Sequence, residues 1–586
     1  MNRLQKVSRQ IALIVALGGW SVCGCTDTDR SSPRADPEAS RPAPWFVDVS
    51  DHVGLTWVHD AGLGGQYEMP EIMGAGGGFV DFDGDGRLDV YLVNGGPRSS
   101  TPAKTPVRDR LLRQGADGRL TDVTGAAFLD ASGYGMGLSC GDFNNDGFPD
   151  LLVTNYGRNQ LWRNNGDGTF SDITAAAGLT AETWSTAACF ADLDHDGLLD
   201  LFVVDYVNYF PGRGCDDETG RLEYCGPTAF PGTVDRLYRN RGLSPSGDDV
   251  TFADVTIPSG IGSHAGKGLG VVCRDFSGDG RPDLFVANDM QADHLWIQQA
   301  DGTFNDEGVL QGVAYNRLGE PEAGMGVIAD DLNSDGRLDL FVTHLRGETN
   351  TLFAQQTDGQ FRDVTAASGL GPPSLALTGF GVVAADIEHD GDLDVLVANG
   401  RVLRAAAVSG AEKDAYWTQY VEPNSLFLNA GAGRFAERSS LGGEFTSRLE
   451  VSRGLACGDV DNDGDVDLLL TNLGGRARLF LNESPKQGNW LLIRVINPGP
   501  NRQALGARLT VRVGKRMLVR SVTTGTGYLT SRDVRVHVGL GPAERYDSIE
   551  VQWPGGDRER FPGGSGNRPL VLMRGLGRPV RENPPK

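Results

Sequence analysis

Basic residues are scarce in this chain of 586 residues, which has 54 Lys and Arg against 77 Asp and Glu and a formal net charge of −23. This disfavours sequence-independent binding to nucleic acids, because such binding needs Lys and Arg to replace the counterions of the phosphates, and we expect no nucleic-acid partner. After the first 25 residues there is no uninterrupted apolar run of about 18 residues, which excludes a bundle of membrane-spanning helices. Phosphate-loop, HExxH and paired-cysteine motifs are also missing. Glycine, in contrast, is abundant, with 82 residues, about twice the average share. The composition therefore indicates an acidic β-protein with many tight turns.

The first 25 residues have the pattern of an export signal. A positively charged start is followed by a short apolar run from Ile11 to Trp20, which is too short to cross a bilayer. The run ends in Val-Cys-Gly-Cys, which resembles a bacterial lipobox with Cys25 as the lipid-modified residue. An ordinary signal peptide cut nearby is the alternative. Residues 26–44 are polar and predict a flexible tether. We expect an exported protein of the cell envelope, on its periplasmic or extracellular face, that touches a membrane only through this lipid anchor.

Six cysteines follow the signal. Cys215 and Cys225 bracket a short polar insertion, and an exported compartment permits a disulfide between them. The other four precede acidic loops in apolar segments, which predicts small buried side chains and not a thiol or zinc site; they are Cys140, Cys189, Cys273 and Cys457.

An internal repeat is the strongest signal in the sequence. The nine-residue pattern D-x-[D/N/S/E]-x-D-G-x-x-D occurs seven times, always with Asp at positions 1, 5 and 9 and Gly at position 6. Oxygens at positions 1, 3 and 5 of such a curled loop converge on one point, and the glycine permits the sharp reversal. Position 7 varies, so its ligand is a backbone carbonyl, and position 9 adds a last carboxylate. Oxygen donors of this kind select Ca²⁺ over zinc or copper.

The sequence therefore predicts up to seven structural Ca²⁺ ions. An EF-hand is rejected, because position 12 is Leu or Val and a β-rich apolar segment follows each loop. Acidic turns without metal are the alternative, but crowded carboxylates repel one another unless a cation intervenes. The predicted ligands at positions 1, 3, 5, 7 and 9 are Asp81, Asp83, Asp85, Arg87, Asp89; Asp142, Asn144, Asp146, Phe148, Asp150; Asp192, Asp194, Asp196, Leu198, Asp200; Asp275, Ser277, Asp279, Arg281, Asp283; Asp331, Asn333, Asp335, Arg337, Asp339; Asp386, Glu388, Asp390, Asp392, Asp394; and Asp459, Asp461, Asp463, Asp465, Asp467.

Each loop lies within a unit of four predicted strands, and seven such units are typical of the blades of a β-propeller. The innermost strand of each unit is rich in small residues, which suits a crowded central channel. The fourth-strand pattern occurs once before the first loop, at Phe46–Asp48, and is missing after the last loop. We therefore expect an all-β, seven-bladed propeller over residues 45–486, closed by this first segment. An open linear array of β-modules is the alternative.

Residues 45–482 resemble the FG-GAP/VCBS repeat family, whose blades are similar to those of integrin α-subunit propellers. The runs WLLIRVINPG, ALGARLTVRVG and GTGYLTSRDVRVHVGLG resemble the ASPIC/UnbV domain of cartilage acidic protein-like secreted proteins. The last run reads Tyr-Leu-Thr-Ser where that family has Tyr-Leu-Ser-Gln. The resemblance implies a small β-domain over residues 487–577 that packs beside the propeller, followed by a tail over residues 578–586.

Polar residues are predicted at the channel mouth, on the face opposite the acidic loops. One polar residue lies five positions after each position-9 Asp. The long insertions 95–110, 206–236 and 400–424 extend from the same face, which we call the insertion face. The candidate residues there are His59, Glu71, Asp205, Glu322 and His344. Their alternative role is to satisfy backbone groups at strand ends.

The leading hypothesis is a calcium-stabilised binding, adhesion or scaffolding module that presents this face to a protein or carbohydrate partner. The alternative is an envelope enzyme, or an enzyme accessory protein, with a site at the channel mouth. A deep pocket joining His59, Glu71, Glu322 and His344 would favour catalysis, and a broad shallow face would favour binding.

Overall fold

The computed structural model describes residues 43–96, 108–244, 249–406, 416–525 and 527–580. The export signal, Cys25 and all but the last two residues of the predicted tether lie outside the described residues. Within the described ranges, no helix has both the length and the apolar content needed to cross a membrane.

Seven antiparallel units of four strands are found in the described part of the chain. In chain order, β1 (Phe46–Asp48) comes first. The first unit holds β2 (Gly77–Val80), β3 (Asp89–Leu92), β4 (Arg110–Gln114) and β5 (Leu120–Asp122); the second holds β6 (Tyr134–Gly141), β7 (Asp150–Arg158), β8 (Gln160–Asn164) and β9 (Phe170–Asp172). The third holds β10 (Glu182–Ala191), β11 (Asp200–Asp205), a small hairpin of β12 (Cys215–Asp216) and β13 (Leu222–Glu223), then β14 (Arg236–Leu243) and β15 (Val250–Asp254).

The remaining four units repeat this order. The fourth holds β16 (Gly268–Arg274), β17 (Asp283–Asn288), β18 (His294–Gln298) and β19 (Phe304–Asp306); the fifth holds β20 (Val327–Asp330), β21 (Asp339–Val342), β22 (Thr351–Gln355) and β23 (Phe361–Asp363). The sixth holds β24 (Gly379–Ala385), β25 (Asp394–Asn399), β26 (Ser425–Asn429) and β27 (Phe435–Glu437); the seventh holds β28 (Ser452–Gly458), β29 (Asp467–Asn472) and β30 (Arg478–Asn482).

The ring is closed by the first strand of the chain. β1 pairs antiparallel with β30, with Phe46 opposite Asn482, and so becomes the fourth strand of the seventh unit. The innermost strands of successive units contact one another in order, and β28 contacts β2. The fold is therefore a closed all-β propeller, as predicted, and the open linear array is wrong. Closure leaves fewer free strand edges for aggregation.

Six of the seven second strands are buried along their whole length, as in Asp283–Asn288, and only the end of β7 is partly exposed. This burial arises because both faces of each sheet pack against neighbouring units. The β-branched and aromatic residues of these strands suit this position between two sheets. The helices are single turns of four residues, namely α1 (Ser50–Val53), α2 (Pro70–Met73), α3 (Gly308–Gln311), α4 (Thr365–Ser368), α5 (Gly371–Ser374) and α6 (Glu444–Ser447).

The C-terminal region forms two further sheets on the acidic-loop face. Its strands are β31 (Asn489–Ile496), β32 (Arg508–Val513), β33 (Arg516–Ser521), β34 (Thr530–Ser531), β35 (Val536–Gly541), β36 (Arg545–Gln552), β37 (Arg558–Ser565), β38 (Arg568–Met573) and β39 (Arg578–Pro579). One sheet has the order β35-β31-β38 and the other β33-β32-β36-β37-β39. Since Arg578 and Pro579 pair with β37, the prediction that the tail begins at residue 578 is corrected by the structure.

Part of this region enters the central channel, so it does more than pack beside the propeller. We call residues 525 and 527–531 the channel segment. Its β34 pairs parallel with β2, and the Leu529 carbonyl accepts hydrogen bonds from the N–H groups of Gly77 (3.3 Å) and Leu138 (3.2 Å). On the other side of the ring, Gly527 N–H donates to the Val327 carbonyl at 2.8 Å. The small residues of the innermost strands therefore leave room for this segment.

Candidate metal loops and insertion face

The acidic loops share one backbone conformation. Position 6 is a glycine with φ between 82° and 100° in all seven loops, a left-handed geometry that a side chain disfavours. Position 4 is also left-handed in all seven. Its residues are Gly84, Asn145, His195, Gly278, Ser334, His389 and Asn462. The sequence pattern had marked only the glycine at position 6 as a special backbone site.

Loop carboxylates are held by loop amides. The N–H of Gly86 at position 6 donates to Asp81 Oδ2 at position 1 (3.2 Å), and the same bond is 2.8 Å between Gly391 and Asp386. The N–H of position 7 donates to the position-5 carboxylate in all seven loops, at 2.8–3.0 Å. These bonds turn the carboxylates of positions 1 and 5 toward the inside of the loop.

The position-9 aspartates join three parts of their units. In the first loop, Asp89 Oδ2 accepts the N–H of Phe82 at position 2 (3.2 Å), and Asp89 Oδ1 accepts the N–H of Gln114 in the third strand (2.8 Å). The equivalent pair of bonds occurs in all seven units. Each oxygen of Asp89 has two lone pairs, so one lone pair per oxygen stays available to a cation. In three other units the Oδ2 atom of the position-9 Asp accepts a further hydrogen bond, from Arg239 to Asp200, from the Ser277 N–H to Asp283 and from the Asn333 N–H to Asp339.

Burial raises the pKa of these acids. It raises the pKa of Asp89, Asp200 and Asp283 to about 7 and that of Asp339 to about 8. At position 1, burial raises the pKa of Asp192 to about 6. Buried carboxylates that lie close together favour the protonated form unless a cation is present.

Three loops bring acidic oxygens close enough for one ion. In each, three carboxylates have ligand atoms within 4.8 Å of one another; the groups are Asp81, Asp83, Asp85; Asp192, Asp194, Asp196; and Asp459, Asp461, Asp467. One oxygen of the position-1 carboxylate is buried without a hydrogen-bond partner in four loops, at Asp81, Asp192, Asp386 and Asp459. A buried oxygen that lacks a partner inside a ring of oxygens fits a bound hard cation. The donor set of these loops therefore suits Ca²⁺.

Arginine at position 7 forms an ion pair that the sequence pattern did not predict. Where position 7 is Arg, its guanidinium pairs with the position-5 carboxylate, in Arg87–Asp85, Arg281–Asp279 and Arg337–Asp335. This contact competes with a cation for one oxygen of Asp at position 5. The fourth loop also has Ser277 at position 3, so its donor set is the weakest.

The C-terminal region covers several loops. Arg516 Nη1 donates to the Asp390 carbonyl (2.6 Å), Arg520 Nη2 to the Gly391 carbonyl (3.2 Å) and Arg535 Nη2 to the Asp459 carbonyl (2.6 Å). Arginine donors thus bind carbonyl groups of the sixth and seventh loops directly.

The sixth loop is buried by this contact. His389 at position 4 is only 1% exposed, and its ring lies 4.9 Å from that of His537. Position 4 faces solvent in the third loop, where His195 is exposed. The repeat pattern alone predicts the same environment for both histidines, and tertiary packing makes them different.

The five candidate residues of the channel mouth make structural contacts. His59 Nε2 accepts the Gly95 N–H (3.2 Å), and Glu71 Oε1 accepts the Gly64 N–H (3.0 Å). Asp205 accepts hydrogen bonds from Ser185 (2.6 Å), Thr183 (3.0 Å) and Arg236 (3.2 Å).

Glu322 and His344 form a pair of their own. Glu322 Oε2 accepts the Thr351 hydroxyl at 3.0 Å and lies 3.8 Å from His344 Nε2. Four cavities among the described residues, of about 30, 80, 230 and 320 Å³, are lined by other residues, so none of these four joins this pair to His59 and Glu71.

An aromatic cluster covers the channel mouth instead. It combines Tyr206 and Phe230 of one insertion with Trp417 and Tyr420 of another, and it reaches Tyr528 of the channel segment. At its edge are partly buried rings, namely Tyr67, Tyr156, Tyr209 and Tyr416. Phe210 nearby is 49% exposed. Sequence patterns missed this cluster because its members come from different units.

A disulfide closes the hairpin that borders this cluster. Cys215 and Cys225 are bonded, with Cα atoms 5.2 Å apart, and Cys225 is part of the aromatic cluster. Of the other four cysteines, Cys140, Cys189 and Cys457 are buried and Cys273 is partly buried. The run Gly137–Gly141 matches the G-x-S-x-G pattern of some hydrolases, but Ser139 is buried within the strand β6 and not at a strand-to-helix turn.

Comparison with known families agrees with this architecture. The FG-GAP-like repeat family matches residues 81–153, 142–203, 275–342 and 331–397, and the ASPIC and UnbV family matches residues 497–578. The chain carries FG-GAP-like repeats followed by an ASPIC and UnbV region. The channel segment lies inside the part that the ASPIC and UnbV family matches.

Two relatives are similar to this chain over different lengths. Human cartilage acidic protein 1 is 24% identical over 555 residues, which cover 90% of this chain and 77% of that protein. Cartilage acidic protein 1 of Xenopus tropicalis is 28% identical over 323 residues, which cover 52% of this chain and 44% of that protein. Among solved structures, the Dos1 propeller aligns with a TM-score of 0.31 and 9% identity over 69% of this chain and 91% of that chain.

Proposed function

We propose that this protein is an exported, calcium-stabilised binding module whose insertion face captures a protein or carbohydrate partner. The proposal that the loops bind Ca²⁺ rests on the buried position-1 oxygen that lacks a hydrogen-bond partner in four loops. Ca²⁺ would be held there by the oxygens of positions 1, 3, 5 and 9 and by the carbonyl of position 7. The ion would supply positive charge, which removes the repulsion between the carboxylates.

The aromatic edge of the insertion face supports the binding part. Tyrosine, tryptophan and arginine are enriched in binding surfaces because they combine apolar area with polar groups. Arg213 lies 5.6 Å from the Phe230 ring centre beside exposed Phe210, and Arg404 lies 4.9 Å from the Tyr67 ring centre. The similarity to cartilage acidic proteins supports a location outside the cytoplasm, and attachment through Cys25 is part of the proposal.

Calcium binding is tested by thermal unfolding of the metal-stripped protein during a Ca²⁺ titration. With a dissociation constant of ~0.1 mM, each filled site adds about 1.4 kcal/mol at ~1 mM Ca²⁺. Asp459→Asn should lower the calcium-dependent gain by about one site. Asp117→Asn, an equal charge change at an exposed turn outside the loops, should keep the full gain. A melting temperature that does not respond to Ca²⁺ would refute the calcium part.

Partner binding is tested with a double variant, Phe210→Ala with Arg213→Ala, on glycan arrays and in capture from envelope extracts. Both side chains are exposed, so the fold should be unchanged and capture should fall about tenfold or more, as for a hot spot of ~2 kcal/mol. Leu576→Ala removes a side chain that is 75% exposed in the C-terminal region and serves as the control. Equal capture by the double variant and the control would place the binding surface elsewhere.

A further inference from the structure

A cavity of about 80 Å³ lies between the third and fourth units and the C-terminal region. Arg274, Asp192 and Asp275 line it from the propeller, and Arg508 and Trp553 line it from the opposite side. Such a volume accommodates several water molecules or one small ion.

Several hydrogen-bond donors around this cavity have no acceptor among the described residues. Arg274 is 6% exposed, and its Nη1 donates to the Cys273 carbonyl at 2.8 Å, but its Nε and Nη2 have no partner. Trp553 is 1% exposed, and its Nε1 has no partner either. The Nε of Arg508 is the fourth such donor. Buried donors without an acceptor are costly, and a charged donor costs most.

Arg274 also lacks an ion-pair partner. Among the described residues, its guanidinium forms no ion pair with a carboxylate. Asp275 on the cavity wall already accepts the N–H groups of Gly278 (2.7 Å) and Gly280 (3.0 Å) within its own loop. Burial is the main cause that lowers the pKa of Arg274, Asp330 acts in the opposite direction without cancelling it, and Arg532 lowers the pKa by a smaller amount. A buried guanidinium in this setting requires a negative partner.

We propose that this cavity binds a small inorganic oxyanion of the size of sulfate or phosphate. The Arg274 Nε and Nη2 donors are suited to two oxygens of one such anion, and Trp553 Nε1 and Arg508 Nε offer further donors. The anion would bridge the propeller and the C-terminal region, because these donors come from both.

Sulfate is the probe, because phosphate precipitates with Ca²⁺. Thermal unfolding of the full chain is followed in 0–10 mM sodium sulfate, with NaCl added to keep the ionic strength constant. The wild-type protein should show a saturable rise in melting temperature. Crystals soaked in selenate should show one anomalous selenium peak in the cavity. Ordered water alone in the cavity would overturn the proposal.

Variants separate a bound anion from the general effect of sulfate on protein stability. Arg274→Gln should lower the sulfate affinity at least tenfold, and Trp553→Phe, which removes only the donor, should lower it several-fold. Without sulfate, Arg274→Gln should melt no lower than the wild type, because it removes a buried unpaired charge. Arg317→Gln, an exposed arginine outside this interface, should keep the wild-type response. An equal sulfate response in Arg274→Gln, Trp553→Phe and the wild type would overturn the proposal.

Discussion

The position-9 aspartates show how one residue serves both the fold and a metal site. Their oxygens bind an amide of their own loop and an amide of the third strand, so they hold the unit together before any ion is bound. The strict recurrence of Asp at position 9 therefore has two physical causes. The sequence pattern indicated the metal ligand and missed the strand contact, because the third strand follows at variable spacing.

A buried aspartate outside the loops gives a test by pH. Asp109 accepts the N–H of Asn94 (2.8 Å) and the hydroxyl of Tyr91 (2.9 Å), and burial raises its pKa to about 7. The folded pKa lies above the unfolded value of ~3.9, so the folded protein binds the extra proton between these two values. The stability from this group is therefore complete at low pH and is lost as the pH rises toward 7, by about 1.4 kcal/mol per pH unit.

Asp109→Asn imitates the protonated acid, so the variant does not lose this contribution to stability as the pH rises. Between pH 5 and pH 7, the stability of the variant relative to the wild type should increase, as measured by urea unfolding at several pH values. Asp117→Asn at an exposed turn is the control and should follow the wild type at every pH. A constant difference between Asp109→Asn and the wild type would contradict the predicted titration.

At the scale of elements, the seven loops are equal in sequence pattern and unequal in surroundings. Gly86 and Gly464 both occupy position 6 with left-handed φ values of 82° and 99°. A Cβ on Gly86 would meet nothing within 4 Å, whereas a Cβ on Gly464 would lie 1.9 Å from Trp490 of the C-terminal region. Contact with the C-terminal region thus adds a second requirement for glycine in the seventh loop.

Replacing each glycine with alanine separates these two requirements. Gly86→Ala should cost about 1–2 kcal/mol from backbone strain alone. Gly464→Ala should cost about 1–3 kcal/mol more, because Trp490 must move. Chemical unfolding of both variants at saturating Ca²⁺ measures the difference. Equal costs would mean that Trp490 moves freely and that the C-terminal region is loosely attached.

For the whole molecule, one hydrophobic cluster joins the propeller to the C-terminal region. It contains Phe143 and Leu201 of the second and third units together with Leu491, Val511 and Trp553 of the C-terminal region. The channel segment adds a second connection through the centre of the ring, where the Tyr528 hydroxyl donates to the Met73 carbonyl at 2.8 Å. Shared packing of this extent couples the unfolding of the two parts.

We therefore expect one cooperative unfolding transition for the chain in Ca²⁺. Calorimetry and tryptophan fluorescence should give the same midpoint, since Trp296 reports on the propeller and Trp553 on the C-terminal region. A truncation after residue 486 should lower the midpoint of the propeller, because it uncovers the cluster and opens the channel. Two separate transitions in the full chain would contradict this coupling.

The sequence by itself determined the repeated elements. Asp and Gly at fixed spacing form the acidic loops, β-branched residues after each loop form the buried second strands, and the early Phe46–Asp48 strand predicts closure of the ring. The loops and second strands depend on residues close in sequence, where spacing translates directly into geometry. Closure is predicted differently, from one fourth strand that precedes the first loop and one that is missing after the last.

Only the tertiary structure decided which residues meet across the ring. It buries His389 and leaves His195 exposed, places Tyr528 in the channel, and covers the channel mouth with aromatic residues from separate insertions. It also leaves the Nε and Nη2 of Arg274 without a hydrogen-bond partner at the wall of a cavity. These outcomes depend on packing between segments hundreds of residues apart, and no local spacing encodes that packing.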